Sequence, residues 1–138
     1  MTPHQSEDGW YDLTAALDDK VRLLSHAPPR IGDQAHPIHA YVGALGGMNI
    51  PIGDFSRALG LAFDHGPVLG KCTLSFPGRL RVGQRYKVTP RVISQKRKPS
   101  RRFGQADHLL MEITLADREG PASSLEFSMI TPVAPHAK

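Results

Sequence analysis

Only one cysteine, Cys72, occurs in the 138 residues, so a disulfide scaffold is excluded and a reducing compartment is expected. Its alternating apolar surroundings predict a packed or half-packed side chain rather than a nucleophile. No apolar stretch approaches the roughly 18 residues that cross a bilayer. The first eight residues have neither the basic flank nor the apolar run of a targeting segment. We therefore expect a cytoplasmic protein with no membrane partner.

Acidic residues are absent from one long segment. Between Lys71 and Arg102 lie eleven lysines and arginines and no aspartate or glutamate, although the net charge is only +4. This distribution indicates an anionic partner. The run from Lys96 to Arg102 predicts an exposed hairpin loop, for which simple solvation is the plainest interpretation. Nucleic-acid binding usually adds interleaved aromatic residues, and only Phe103 is near, so no nucleic-acid partner is expected.

The periodicity of apolar residues predicts a helical first half and a sheet in the second. Apolar spacing from Leu13 to Leu24 predicts a helix that Asp12 could cap, and glycine-rich residues 40–62 predict two short helices separated near Pro51. From Val68 onward the period becomes two, which predicts four antiparallel strands covered by the helices. The length fits one α+β domain over residues 12–132, with a loose segment at 1–11 and a frayed tail at 133–138.

The segment with the clearest chemistry follows the first helix and reads Gly32-Asp33-Gln34-Ala35-His36-Pro37-Ile38-His39. A carboxylate and an imidazole that hold one water molecule can add it to, or remove it from, a polarised double bond. Pro37 favours an extended conformation at His36, so the segment is predicted to be a fixed loop. Asp33 and His39 are the candidate acid/base pair.

This segment resembles the signature of the MaoC-like hydratases and dehydratases, a branch of the hotdog-fold superfamily. Their pattern is Gly-Asp, any residue, Asn-Pro, an aliphatic residue and His. Asp33 and His39 correspond to the two catalytic residues of that family, and Pro37 and Ile38 to the residues between them. The sequence departs from the pattern twice: His36 replaces the asparagine, and one extra residue separates Asp33 from Pro37.

Two later segments extend the resemblance to roughly residues 12–132. Residues 79–83, Arg-Leu-Arg-Val-Gly, resemble the turn after the first long strand, most closely in the FAS1-like dehydratase branch. Residues 64–67, Asp-His-Gly-Pro, resemble a His-Gly step that offers a backbone N–H to the thioester oxygen, although a simple polar turn fits them as well. The resemblance therefore implies a single hotdog fold, a sheet wrapped around a central helix that is broken here. It also implies Gly66 and His36 as oxyanion or substrate-binding residues.

The function implied is hydration or dehydration at the 2,3 position of an acyl thioester carried by coenzyme A or an acyl carrier protein. The resemblance also gives the basic run Lys96 to Arg102 a functional alternative to solvation, which is attraction of the phosphates of coenzyme A or of an acidic carrier protein. No metal is expected, since Pro37 disfavours a helical face and no other spacing suits zinc. No organic cofactor beyond the carrier is implied. The incomplete cover of the sheet predicts a homodimer, or a heterodimer with another hotdog chain. Two alternatives remain: a non-catalytic hotdog subunit that supports a catalytic partner, and a hotdog thioesterase.

Overall fold

The structure, a computed structural model, describes residues 8–101 and 103–133, except for the side chain of His65. One five-stranded antiparallel sheet has the strand order β1-β3-β4-β5-β2. The elements in chain order are β1 (Gly9–Leu13), α1 (Ala15–Leu24), α2 (His39–Gly46), α3 (Ile52–Ala58), a 3₁₀ helix (Phe63–His65), β2 (Val68–Ser75), β3 (Gln84–Ser100), β4 (Gly104–Asp117) and β5 (Gly120–Pro132). The α+β class and the antiparallel sheet predicted from the sequence are confirmed.

The core lies between α2 and one face of the sheet, which we call the inner face. Alternate residues of β4 and β5 are buried there, as the period of two requires. Helix α2 lies close to the sheet because its inward positions are small. A Cβ atom added at Gly43 would stand 2.6 Å from Cδ2 of Tyr11, and one at Gly47 would stand 2.6 Å from Cγ2 of Val88. Glycine at these positions therefore sets the distance between helix and sheet.

The chain enters the sheet earlier than the sequence predicted. Residues Gly9–Leu13 form β1 and pair with the start of β3, so part of the segment expected to be loose is ordered. The first helix begins at Ala15, and its cap is Thr14, whose Oγ1 accepts the N–H of Leu17 at 3.1 Å. Asp12, the predicted cap, lies in β1. Residues 1–7 and 134–138 of the predicted loose ends lie outside the described residues.

The predicted separation of the two short helices is confirmed: α2 ends at Gly46 and α3 begins at Ile52, directly after Pro51. Two other predictions are wrong. Lys96 to Ser100 belong to β3, so most of the predicted basic loop is strand. Cys72 is exposed rather than packed, because β2 is the last strand of the sheet and nearly all of its residues are exposed. Among the described residues, no helix is long and apolar enough to span a membrane.

Candidate functional site

The motif loop before α2 is fixed to the turn before β3. The N–H of Ala35 donates to the Leu80 carbonyl at 3.0 Å, and the N–H of Val82 donates to the Asp33 carbonyl at 2.9 Å. Gln34 and Arg81 form an isolated antiparallel bridge between these two bonds. The two segments that resemble MaoC-like landmarks therefore lie against each other, although the residues that these contacts join are 45 to 49 positions apart in the sequence.

His39 is the first residue of α2, and its side chain is fully buried. Its Nδ1 lies 2.7 Å from the Tyr11 hydroxyl, and its Nε2 lies 3.1 Å from Oδ1 of Asp18. A carboxylate oxygen can only accept, so Nε2 carries the hydrogen, and Nδ1 then accepts the O–H of Tyr11. Both polar atoms of a neutral imidazole are thus occupied by protein groups.

Asp18, on α1, is a fully buried carboxylate with four donors. Oδ1 accepts the N–H of His36 at 2.8 Å and Nε2–H of His39, and Oδ2 accepts Nε–H of Arg22 at 2.8 Å and Nη1–H of Arg30 at 3.1 Å. Burial alone would raise the pKa of this carboxyl. The hydrogen bonds from His36, Arg22 and Arg30 outweigh it and hold the pKa well below its usual range. Asp18 is therefore ionised, and its charge is compensated by two guanidinium groups.

The neighbours of Asp18 keep their protons in fixed positions at neutral pH. Burial lowers the pKa of His39, despite the opposing attraction of Asp18, so the imidazole is neutral. Burial and the nearby Asp18 charge raise the pKa of Tyr11 to about 12, so its hydroxyl stays protonated. The result is a directed chain of hydrogen bonds from Tyr11 through His39 to Asp18. We call these three residues the buried triad.

The structure does not bring Asp33 to His39. The Asp33 side chain is 58% exposed, and its carboxylate forms one ion pair, with Nε of Arg81 at 4.0 Å. Asp33 lies in the turn that meets Arg81, whereas His39 points toward α1 and β1. That Asp33 and His39 share one water molecule stays a prediction that this conformation does not support.

The other two site residues predicted from the sequence lie apart in the fold. His36 is half-buried beside the triad, and its Nδ1 accepts the N–H of Ile38 at 3.0 Å. Gly66 follows the 3₁₀ helix with a φ of 82°, a left-handed conformation that favours glycine. Their roles in substrate binding remain predictions. Among residues 8–101 and 103–133, no group of three His, Cys, Asp or Glu side chains could hold a metal ion.

Sequence reasoning missed Tyr11 and Asp18. Asp18 stands four positions before Arg22, a spacing that places the two side chains on one helix face. This spacing usually marks an exposed ion pair, so it gave no sign of a buried site. Tyr11 lies in the segment that was predicted to be loose.

Two clefts flank the motif loop and share Gln34, Ala35 and Pro37. One, of about 240 Å³, extends to Phe76 and Leu80. The other, of about 300 Å³, extends to the loop after α1. His39, whose side chain is fully buried, lines neither of these two clefts.

The sequence matches no family model. A search of curated proteins likewise gives no match. Solved structures do match. A chain of the ChsH1–ChsH2 complex of Mycobacterium tuberculosis superposes with a TM-score of 0.69 at 12% identity, covering 98% of this chain and 88% of that one. A chain of the C-terminally truncated HadBC complex of the same organism, a 3R-hydroxyacyl-ACP dehydratase, gives 0.66 at 12% identity over 94% and 98%.

A thioesterase-like protein fits less closely. The hypothetical thioesterase of Streptococcus pneumoniae TIGR4 with coenzyme A gives a TM-score of 0.59 at 12% identity, over 92% of this chain and 78% of that one. Identities this low establish the fold and nothing finer. Together with the sheet order and the helix packed on its inner face, they show that this chain has a hotdog fold.

Proposed function

We propose that this chain is a hotdog subunit of an enzyme that adds water to, or removes it from, an acyl thioester, and that a partner chain carries the catalytic pair. The observation that carries this proposal is the state of His39. A general acid or base must present a nitrogen to a water molecule or to the substrate. Both nitrogens of His39 are bonded to Tyr11 and Asp18, and its side chain has no exposed surface.

The arrangement of charges supports the same conclusion. The carboxylate that the motif offers, Asp33, faces Arg81 and solvent, whereas the carboxylate that contacts His39, Asp18, is neutralised by Arg22 and Arg30. A carboxylate held ionised by two guanidinium groups is a weak base, because its pKa is far below neutrality. Asp18 therefore serves as an anchor for its donors and not as a proton acceptor during turnover.

The need for a partner is supported by the sheet. Strand β2 ends the sheet, and no described residue pairs with its outer edge. Its apolar residues Leu69 and Leu74 are exposed, together with Phe76 just beyond the strand. An exposed apolar edge strand invites pairing with another chain. Two of the structural neighbours are two-chain complexes, ChsH1–ChsH2 and HadBC. A related hotdog chain, or a second copy of this one, is the partner that fits this edge.

A self-sufficient hydratase is the second candidate, and the motif itself favours it. Pro37, Ile38 and His39 stand in the family order, and His39 begins a helix of the inner layer. In this case Asp33 and His39 would have to approach each other around one water molecule, with Gly66 N–H near the developing enolate oxygen. Thioester hydrolysis is a third candidate, supported by the thioesterase-like neighbours alone.

The test is to incubate the purified chain alone with crotonyl-coenzyme A and to measure the enoyl-thioester absorbance and, separately, thiol release. We expect neither to change. Hydration by the chain alone that falls about 10²-fold in Asp33→Asn and in His39→Ala would refute the proposal and establish the second candidate. Thiol release that needs no partner would establish the third.

A further inference from the structure

The outer face of the sheet, opposite α2, carries a row of basic side chains along β3, and the row divides into two parts. In the first half, Arg85 lies 3.3 Å from Asp12 and Lys87 lies 3.1 Å from Asp8. Arg91, further along, lies 3.0 Å from Glu112. Each positive charge there has a carboxylate beside it, so this part of the face is close to neutral.

The second half differs, because its lysines have no counter-charge. The β3–β4 register shifts between Val92 and Ser94, and it then pairs Lys96 with His108 and Lys98 with Ala106. Both lysines are exposed and, within the described part of the chain, neither has an ion-pair partner. The turn residue Arg101 is exposed beside them. We call Lys96, Lys98 and Arg101 the basic end.

Asp107, the acidic residue closest to these lysines in the β3–β4 register, does not reduce the charge of the basic end. Asp107 points to the inner face, where it is buried and forms two hydrogen bonds with Arg97, at 2.9 and 3.1 Å. The charge of Arg97 is therefore paired with Asp107 and does not belong to the basic end, although Arg97 lies in the middle of the basic run in the sequence. The neighbouring cleft of about 650 Å³ is lined by Arg97 and Asp107, not by either lysine.

We propose that the basic end is a docking surface for an acidic protein. A strand face without a cleft suits the surface of a macromolecule better than a small ligand. No aromatic side chain alternates with Lys96 and Lys98 along β3, so the stacking platform of single-stranded nucleic-acid binding is missing. Unpaired surface lysines attract an acidic surface over about a screening length, and chiefly speed its approach.

The same lysines could instead protect the sheet. Beyond Val88 no described residue pairs with the free side of β3, and this edge also carries Pro90 and Pro99. Lysine and proline on an unpaired edge prevent sheets from joining edge to edge. The two roles predict different results when the charges are removed: loss of binding in one case, and self-association of the protein in the other.

The experiment compares two double variants on the same face of the same strand. Lys96→Gln with Lys98→Gln removes two unpaired charges, whereas Arg85→Gln with Lys87→Gln removes two charges that have carboxylate partners. Binding of a fluorescein-labelled oligoglutamate peptide is measured by anisotropy at about 0.1 M and about 1 M salt, where the screening length is roughly 10 Å and 3 Å. Thermal unfolding checks that both variants are folded. No substrate is needed, so the result does not depend on the proposed function.

We expect the first variant to bind the peptide about five- to tenfold more weakly at the lower salt, and the second to change less than about twofold. At the higher salt the difference should disappear. Equal losses in the two variants would mean that net charge alone matters, and would overturn the proposal. So would unchanged peptide binding, with or without self-association of the first variant. A larger loss for an oligothymidine than for the peptide would assign nucleic acid to this surface instead.

Discussion

Asp18→Asn tests whether the buried triad and its arginines stabilise the fold. Asparagine keeps one acceptor oxygen, which can still accept from His36 and His39. Its amide nitrogen replaces Oδ2 and directs hydrogens at Arg22 and Arg30, whose side chains are only 13% and 19% exposed. Two charge-assisted hydrogen bonds are lost, and Arg22 is left without a carboxylate partner among the described residues, whereas Arg30 keeps Asp19. Each such bond contributes about 1.5–3 kcal/mol, so we expect a loss of about 3–5 kcal/mol in unfolding free energy.

The measurement is urea unfolding monitored by circular dichroism, with the slope m compared to show that the unfolding transition itself is unchanged. Asp19→Asn is the matched control. Asp19 also contacts Arg30 Nη1, at 2.8 Å, but its side chain is 66% exposed, so its removal should cost less than about 1 kcal/mol. If Asp18→Asn cost no more than Asp19→Asn, the argument that burial strengthens this site would be refuted.

The same geometry supports three further predictions. Because the pKa of folded His39 lies below the unfolded value of about 6.5, the unfolded state binds more protons below that pH, and stability should fall as pH drops through it. The urea midpoint of unfolding should fall between about pH 7.5 and about pH 5.5, and His39→Gln should make this fall smaller. An unchanged fall in His39→Gln would contradict the argument. Gly43→Ala should lower the free energy of unfolding by about 1–3 kcal/mol, because the added Cβ meets the Tyr11 ring. Gly46→Ala has open space around it and should raise the free energy of unfolding by up to about 1 kcal/mol. Thermal unfolding measures both, and equal effects would contradict the packing described for α2. Sedimentation should show association of this chain with itself or with a hotdog partner, and a stable 15.1 kDa monomer that hydrates enoyl thioesters alone would contradict it.

The sheet could be predicted from the sequence because its signal is local. Alternation along β4 and β5 determines which residues face the helix, and the buried Leu109, Met111, Leu125 and Phe127 are those that the period of two selects. Strand β1 was not predicted because it is only five residues long and lies at the edge of the sheet. The exposure of β2 could not be predicted for a different reason. An alternating pattern is the same whether a strand is covered by its own chain or left exposed.

The candidate site could be predicted only in part. Pro37 correctly indicated a loop at His36, and the helix expected after Ala40 begins one residue earlier, at His39. The carboxylate beside His39 could not be predicted, because Asp18 is 21 residues away and reaches it through the packing of α1 against the motif loop. Asp33 is nearer to His39 in the sequence, but its backbone bonds to Val82 and its carboxylate lies toward Arg81.

Removing one partner from a buried ion cluster is costly because the other charges are left uncompensated. The net contribution of the intact cluster to stability is small, however, since desolvation offsets much of the attraction between its charges. The value of the cluster therefore lies in what it positions. Residues 25–38, between α1 and α2, contain no helix, and a connection of that length needs other contacts to become ordered. Asp18 binds the loop at Arg30 and His36, and Arg22 binds it at the carbonyls of Pro28 and Gln34. One face of α1 therefore holds four points of the loop, which keeps the exposed loop surface in one conformation before any partner binds. A preordered surface loses less conformational entropy on association. In the subunit role that we propose, the contacts that occupy both nitrogens of His39 would therefore also favour binding of the partner.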